Sequence, residues 1–168
     1  MKPSEPFLPT ILYARESVRM LISTHGCEIA SCLLALDLLR EGHSPAMVTG
    51  YFVRDGERTH HTWVEVEERI LDPTQEQFSV SPDAEANSER YVERTGSLTE
   101  RAEIEAFLIE RLACQARNED RRRLIEDVAH RHGLPIDTHA ILAAHGPLME
   151  RLTAEMNSVK LSVPQSQS

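Results

Sequence analysis

Three side chains in this sequence could together carry out thiol acyl transfer: Cys27, His61 and Asp72. Cys27 stands at the predicted start of a helix, where unpaired backbone N–H groups and the helix dipole stabilise a thiolate and can receive an oxyanion. An imidazole would serve as the base, and a carboxylate would orient it. An isolated Cys is more often a small buried hydrophobe. The hypothesis therefore depends on the two partners.

The strand that begins at His61 determines which partners can meet. In HTWVEV, side chains two residues apart share a face, so His61 and Trp63 lie on one side while Val64 and Val66 take the core side. An even number of residues in the turn after Val66 would place Asp72 on the same face as His61. A three-residue turn would place it on the opposite face.

The elements that position these residues follow from hydrophobic periodicity. Helices are predicted over 11–23 and 26–40, the second apolar on all sides and hence buried, with Gly42 ending it. Strands are predicted over 45–53, 61–66 and 70–72, with a polar turn at 54–60. The sequence thus predicts a buried helix followed by a small antiparallel sheet.

The C-terminal half is predicted to be helical. Residues 79–96 are polar and aperiodic, which indicates a loop or linker. Ser97 and Glu100 suggest a capping box for a helix to about residue 117. Asn118 would cap a second helix ending at Gly133, and a third, from 138 to about 156, would be broken at 146–147. The expected domains are a catalytic core (1–80), a polar linker (81–96), a helical extension (97–157) and a frayed tail (158–168).

The stretch GCEIASCLLALDLLREGHSPAMVTGY, followed by HTWVEV and LDPT, resembles the transglutaminase-like superfamily of cysteine enzymes. The similarity covers about residues 26–74 and departs from the usual pattern at Met47, where an Arg is common. It implies Cys27 as nucleophile, His61 as base and Asp72 as the orienting group. The superfamily includes crosslinking and deamidating enzymes, peptidases and inactive binding modules, so the resemblance leaves the substrate open.

The expected fold is therefore α+β, with a papain-like, transglutaminase-like core in which the Cys27 helix packs on a small antiparallel sheet, and with a C-terminal helical extension. The expected activity is acyl transfer from amide bonds of a peptide or protein, of peptidase, deamidase or transglutaminase type, through a thioester on Cys27. Trp63 and Tyr13 are the candidate substrate-binding residues, and Tyr13 is also the candidate second oxyanion donor. The alternative is an inactive interaction module that retains the fold.

The composition indicates which classes of partner and which cellular location to expect. The 168 residues carry a formal net charge of −9 with 5% aromatic residues, which disfavours nucleic acid as a partner. No apolar run approaches the ~20 residues that span a bilayer, and the N-terminus does not resemble a signal peptide, so no membrane association and a cytoplasmic location are expected. Three cysteines are a poor basis for a disulfide framework.

No cofactor or metal site is predicted, because Cys27, Cys32 and His25 lack a zinc-binding spacing. Four histidines in the helical third are interpreted as surface or capping residues: His130, His132, His139 and His145. The apolar face formed by Ile104, Phe107, Leu108 and Leu112 must be buried against the core or a second subunit, so a homo-oligomer formed through the C-terminal helices remains open.

Overall fold

The protein folds as α+β, with five α-helices and one four-stranded antiparallel sheet within residues 5–21 and 25–162, which the computed structural model describes. The helices are α1 (Leu8–Leu21), α2 (Gly26–Arg40), α3 (Arg101–Ala113), α4 (Glu119–Arg131) and α5 (Thr138–Ser162). The strands are β1 (Ala46–Arg54), β2 (Glu57–Val66), β3 (Arg69–Leu71) and β4 (Tyr91–Leu98), in the order β3-β2-β1-β4. No described helix is both long and apolar enough to cross a bilayer.

Helix α2 forms the centre of the hydrophobic core. Every residue from Ile29 to Leu38 is buried, which confirms the prediction from its all-round apolar sequence. The helix ends as predicted, because Gly42 adopts a φ of 93° and the His43 amide donates to the Leu38 carbonyl at 2.9 Å. Burial of α2 on all sides fixes the position of its N-terminus, where Cys27 lies.

The two faces of the sheet pack against different neighbours, as strand alternation predicts. Val64 and Val66 belong to the large core that contains α2. Trp63 and Phe52 belong to a smaller, mainly aromatic cluster with Val48 and Tyr91. Because His61 shares its face with Trp63, the imidazole lies on the aromatic side.

The β1-β2 hairpin is longer than predicted. Arg54 pairs with Glu57 across a two-residue turn, Asp55 and Gly56, whose φ angles are 51° and 80°. Positive φ at both positions is the conformation of the tight hairpin turn that matches strand twist. The polar segment predicted as a turn is therefore mostly strand; its exposed residues are polar on both faces and show no alternation.

Strand β4 corrects the prediction of a polar linker over 81–96 for residues 91–96. Tyr91–Leu98 pairs with β1 at the sheet edge, with a register shift between Thr49 and Tyr51. Five of its eight residues are exposed and show no alternation in burial, which explains why no period was visible. Ser97 lies in this strand, so the predicted capping box is wrong, and Glu100 precedes α3 without a side-chain capping bond.

Helix α3 covers α2, so its apolar face is buried within the chain rather than against a second subunit. Ile104, Leu108 and Leu112 are fully buried in the core that contains α2. The predicted cap of α4 is confirmed, because the Asn118 side chain accepts from the Arg121 amide at 2.9 Å. The predicted end of that helix at Gly133 is also confirmed, with a φ of 65° there.

Helix α5 continues through the predicted break at residues 146–147. Pro147 removes one backbone donor at a cost of about 3 kcal/mol, but Ile141 and Leu148 are buried on either side of it and hold both halves in place. The helix extends to Ser162, into the segment predicted to be frayed. Residues 163–168, and Ser23 at the predicted end of the first helix, lie outside the described part.

Candidate active site

Cys27 lies in the first turn of α2 and is partly exposed. One helical turn later, the buried Ser31 hydroxyl donates to the Thr62 carbonyl at 3.0 Å. Residues four apart lie on the same helix face, and Thr62 directly follows His61. This hydrogen bond therefore holds the Cys27 end of α2 against the middle of β2.

The structure brings His61 and Asp72 together. The β2-β3 turn contains two residues, Glu67 and Glu68, so Val64 pairs with Leu71 and Asp72 follows on the His61 face. His61 Nε2 donates to Asp72 Oδ2 at 2.7 Å, and both side chains are buried. Of the two turn lengths considered, the even-numbered one is present.

The Asp72 carboxylate is held from three further directions. Oδ1 accepts from the Thr74 amide at 2.9 Å and from the Thr74 hydroxyl at 3.2 Å. Oδ2 also accepts from the Tyr91 hydroxyl at 2.8 Å. Sequence reasoning missed Tyr91, because it lies in the segment predicted as a linker. The available signal was that Tyr91 is the single aromatic residue between positions 79 and 96.

Gly50 permits the close packing around His61. It pairs with His61 across the β1-β2 ladder. A Cβ atom there would lie 2.6 Å from the Trp63 ring and 2.8 Å from the Val92 carbonyl oxygen. A larger residue would push β4, and with it Tyr91, away from the site.

The electrostatics of the site favour a protonated His61. Burial alone lowers the pKa of His61, but the Asp72 carboxylate and the Cys27 thiol outweigh it and raise the pKa to about 9. His61 Nδ1 has no hydrogen-bond partner among the described residues. The Cys27 thiol therefore influences the ring without making a regular hydrogen bond to it. The ring therefore has one nitrogen fixed by Asp72 and one buried nitrogen uncommitted.

Solvent reaches the site from the Cys27 side. Cys27 borders an open groove of about 340 Å³ between α1 and the segment 73–77. His61 lies behind it, fully buried, with the Phe78 ring packed edge-on at 4.9 Å between centroids. A substrate carbonyl would thus meet the sulfur before the imidazole.

Comparison of the chain with protein-family models, with curated proteins and with solved structures finds no match.

Neither predicted substrate-binding residue lies in this groove. Trp63 is fully buried in the aromatic cluster, where its indole N–H donates to Glu65 at 3.1 Å. The Tyr13 hydroxyl donates to the Arg131 carbonyl at 2.7 Å, so it is occupied in joining α1 to α4. Trp63 thus packs in the aromatic cluster and Tyr13 joins two helices, and a substrate-binding role for either residue stays a prediction.

The other two thiols are in different environments. Burial, with the nearby Glu28 carboxylate, raises the pKa of the Cys32 thiol well above its ordinary value. Burial also raises the pKa of the Cys114 thiol. Among the described residues, no three His, Cys, Asp or Glu side chains form a cluster that could hold a metal ion.

A second Ser, His and Asp group lies in the interior between α1, α2 and α4. His132 Nδ1 donates to Asp37 Oδ2 at 2.7 Å, and His132 Nε2 lies 2.6 Å from Ser17 Oγ. His132 is the C-cap residue of α4, which agrees with the capping interpretation, but its ring is buried and does not lie on the surface. The hydrogen-bonded chain Ser17–His132–Asp37 resembles a hydrolytic triad. The Ser17 side chain, however, is buried and borders no described groove. The group is therefore structural.

Proposed function

We propose that this protein is a cysteine-dependent acyl-transfer enzyme that acts on amide bonds of a peptide or protein through a thioester on Cys27. The observation that carries the proposal is the 2.7 Å hydrogen bond from His61 Nε2 to Asp72, which leaves Nδ1 uncommitted. Influence of the Cys27 thiol on the pKa of His61 supports the same pairing. We also propose a papain-like core of transglutaminase type, supported by the placement of α2 against β2.

In the proposed reaction, the Cys27 thiolate attacks the amide carbonyl carbon, and the C–N bond breaks as protonated His61 Nδ1 gives its proton to the leaving amine. First-turn N–H groups of α2 would receive the oxyanion. Water then attacks the thioester while neutral His61 takes a proton from it. The C–S bond breaks, the acid leaves, and the thiolate–imidazolium pair is restored. Attack by an amine instead of water would form a crosslink; hydrolysis is the proposed outcome because no amine-binding feature is visible in the sequence.

The proposal is tested first by alkylation of the thiols. Brief iodoacetamide treatment near pH 6, followed by peptide mass spectrometry, should modify Cys27 well before Cys32 and Cys114. His61→Asn should slow Cys27 labelling at least about tenfold, because the thiolate loses the neighbouring imidazolium that stabilises it. His60→Asn, one residue away on the opposite strand face, is the matched control and should leave the rate unchanged.

Equal labelling of the three thiols, or a Cys27 rate indifferent to His61, would contradict the proposal and favour the inactive interaction module. A second experiment identifies the reaction type. A pool of casein peptides is incubated with the protein and hydroxylamine, which intercepts a thioester as a hydroxamate. Hydroxamates on glutamine side chains would indicate a deamidase or transglutaminase, and those at new C-termini a peptidase. Cys27→Ser should abolish both, and Cys114→Ser neither.

Self-association remains a separate proposal. Helix α5 exposes a row of large apolar side chains: Leu142, Met149, Leu152 and Met156. Their spacing of seven, three and four residues matches one face of a helix. Sedimentation analysis of the full chain and of a Met149→Glu/Met156→Glu variant tests whether this face joins two copies.

A further inference from the structure

The groove at Cys27 differs in charge from two other grooves of similar size in the described part of the chain. Three grooves have similar volumes, about 340, 390 and 340 Å³. The first is lined by one arginine and three glutamates, and the second by one arginine, one aspartate and one glutamate. The Cys27 groove is lined by two arginines, Arg15 and Arg19, and one glutamate, Glu76. It is the cationic groove of the three, in a chain whose net charge is −9.

The two arginines differ in what they bind. Arg15 forms an ion pair with Glu76 across the groove, and its side chain is only 19% exposed. Arg19 lies one helical turn further along α1 and is exposed. It makes no hydrogen bond or ion pair to the part of the chain that the structure describes, although its charge, after that of Arg15, helps to lower the pKa of the Glu76 carboxyl. The Arg15–Glu76 pair is thus internally neutralised, and Arg19 supplies the net positive charge.

The N-terminus of α2 contributes partial charge of the same sign. Its first-turn N–H groups have no partners within the helix, and the preceding residue, His25, forms no side-chain capping bond. Gly26 and Cys27 of this turn line the groove. The positive end of the helix dipole therefore faces the same space as the Arg19 guanidinium.

Building on the proposed function, we infer that the groove selects an acyl donor that carries a carboxylate near the reacting amide, and that Arg19 binds this carboxylate. The acyl donor is thus a peptide whose carboxylate comes from an acidic side chain or from the chain terminus. A guanidinium suits this role because it can pair with a carboxylate through two parallel hydrogen bonds. With Arg15 held by Glu76, the Arg19 side chain is the one available to turn towards the ligand.

The charge of the groove can be measured without knowing the substrate. Iodoacetate and iodoacetamide alkylate the same sulfur, but only iodoacetate is an anion. We divide the Cys27 labelling rate with iodoacetate by the rate with iodoacetamide, and then divide this ratio by the same ratio for glutathione. The result reports the electrostatic potential at the thiol. We expect the normalised ratio to exceed one in the wild type, to fall about threefold in Arg19→Ala and further in Arg19→Glu, and to rise in Glu76→Gln. Added salt should reduce all these differences.

Arg117→Ala is the matched control, because Arg117 is an exposed arginine that does not line the groove. It should leave the ratio at the wild-type value. A ratio unchanged in both Arg19 variants would overturn the inference. The absolute iodoacetamide rate and its dependence on His61 test the proposed function separately, so one can fail while the other holds.

Protection by peptides then tests binding of the carboxylate itself. Three probes are compared for slowing iodoacetamide labelling of Cys27: acetyl-Glu-Gly-amide, acetyl-Gln-Gly-amide, and acetyl-Gln-Gly with a free C-terminal carboxylate. Stronger protection by the first supports an acidic side chain as the ligand, and by the third a chain terminus. Either preference should disappear in Arg19→Ala and persist in Arg117→Ala. Equal protection by all three probes would overturn the inference.

Discussion

The Tyr91 hydroxyl donates to Asp72 Oδ2 at 2.8 Å, and so shares that oxygen with His61. Tyr91 comes from edge strand β4 and Asp72 from the end of β3, at the opposite edge of the sheet. Burial, together with the carboxylate, raises the pKa of the Tyr91 phenol, so the hydroxyl remains a donor. Tyr91 is a positioning residue: it holds the carboxylate that holds the imidazole.

Tyr91→Phe should destabilise the fold by about 1–3 kcal/mol, because it removes one donor from a buried carboxylate. The unfolding free energy is measured by urea titration with the wild type alongside. Tyr51→Phe is the control, because Tyr51 lies next to Arg58 on the other face of the sheet. It should change the free energy by less than about 0.5 kcal/mol. Similar losses in both variants would show that the Tyr91 hydroxyl adds no specific support.

The pairing of His61 with Asp72 could be predicted from the sequence only in part. Alternation in β2 predicts which face carries His61, but the turn length decides the face of Asp72. The turn residues Glu67 and Glu68 have φ angles of 50° and 63°, a left-handed conformation usually adopted by Gly, Asn or Asp. A pair of glutamates carries no such signal, so register there depends on packing of Leu71 and Val64.

Replacing Asp72 should change how stability depends on pH. In the wild type, Asp72 and Cys27 raise the pKa of His61 from 6.5 to about 9. A raised pKa stabilises the folded state fully below pH 6.5, and this contribution is lost as the pH rises through about 9. In Asp72→Asn the carboxylate anion is gone, so the part of the alkaline loss that depends on this carboxylate should disappear. Urea unfolding from about pH 6 to pH 10 measures the difference between the two proteins.

Asp55→Asn is the control for this pH series, since Asp55 is 90% exposed in the β1-β2 turn. Its stability curve should run parallel to that of the wild type. A curve for Asp72→Asn that also runs parallel would contradict the role of Asp72 in holding a protonated His61.

The buried His132 network should matter for stability. His132→Ala leaves the Asp37 carboxylate buried with one remaining partner, Arg40, at 2.8 Å. Leaving a buried carboxylate without one of its two partners costs about 1–3 kcal/mol. His130→Ala, two residues away and exposed, should cost less than about 0.5 kcal/mol. Thermal unfolding of the two variants compares them, and equal midpoints would show that the network contributes nothing.

Sequence could not reveal this network because its members are far apart in the chain and lie in otherwise ordinary helices. Ser17 falls within a stripe of apolar residues, and Asp37 interrupts the apolar sequence of α2. An Asp in a helix that is apolar on every side was the one signal that a buried partner had to exist. The sequence has eight histidines and eighteen lysines and arginines that could be this partner of Asp37. The packing of α4 decides that the partner is His132.

Removing the C-terminal helices should expose the core rather than release an independent module. A fragment ending at Gly96 lacks α3, whose Ile104, Leu108 and Leu112 cover α2. Each fully buried side chain of this kind contributes about 1.5–3 kcal/mol, and the uncovered α2 surface is apolar. The fragment should aggregate, whereas a fragment ending at Asp137, which keeps α3 and α4 and loses only Ile141 from the core around α2, should aggregate less and retain reactive Cys27. Light scattering and iodoacetamide labelling measure both properties. A monomeric, folded 1–96 fragment would mean that the sheet and α2 form a complete core without α3, and that the helices are an appendage.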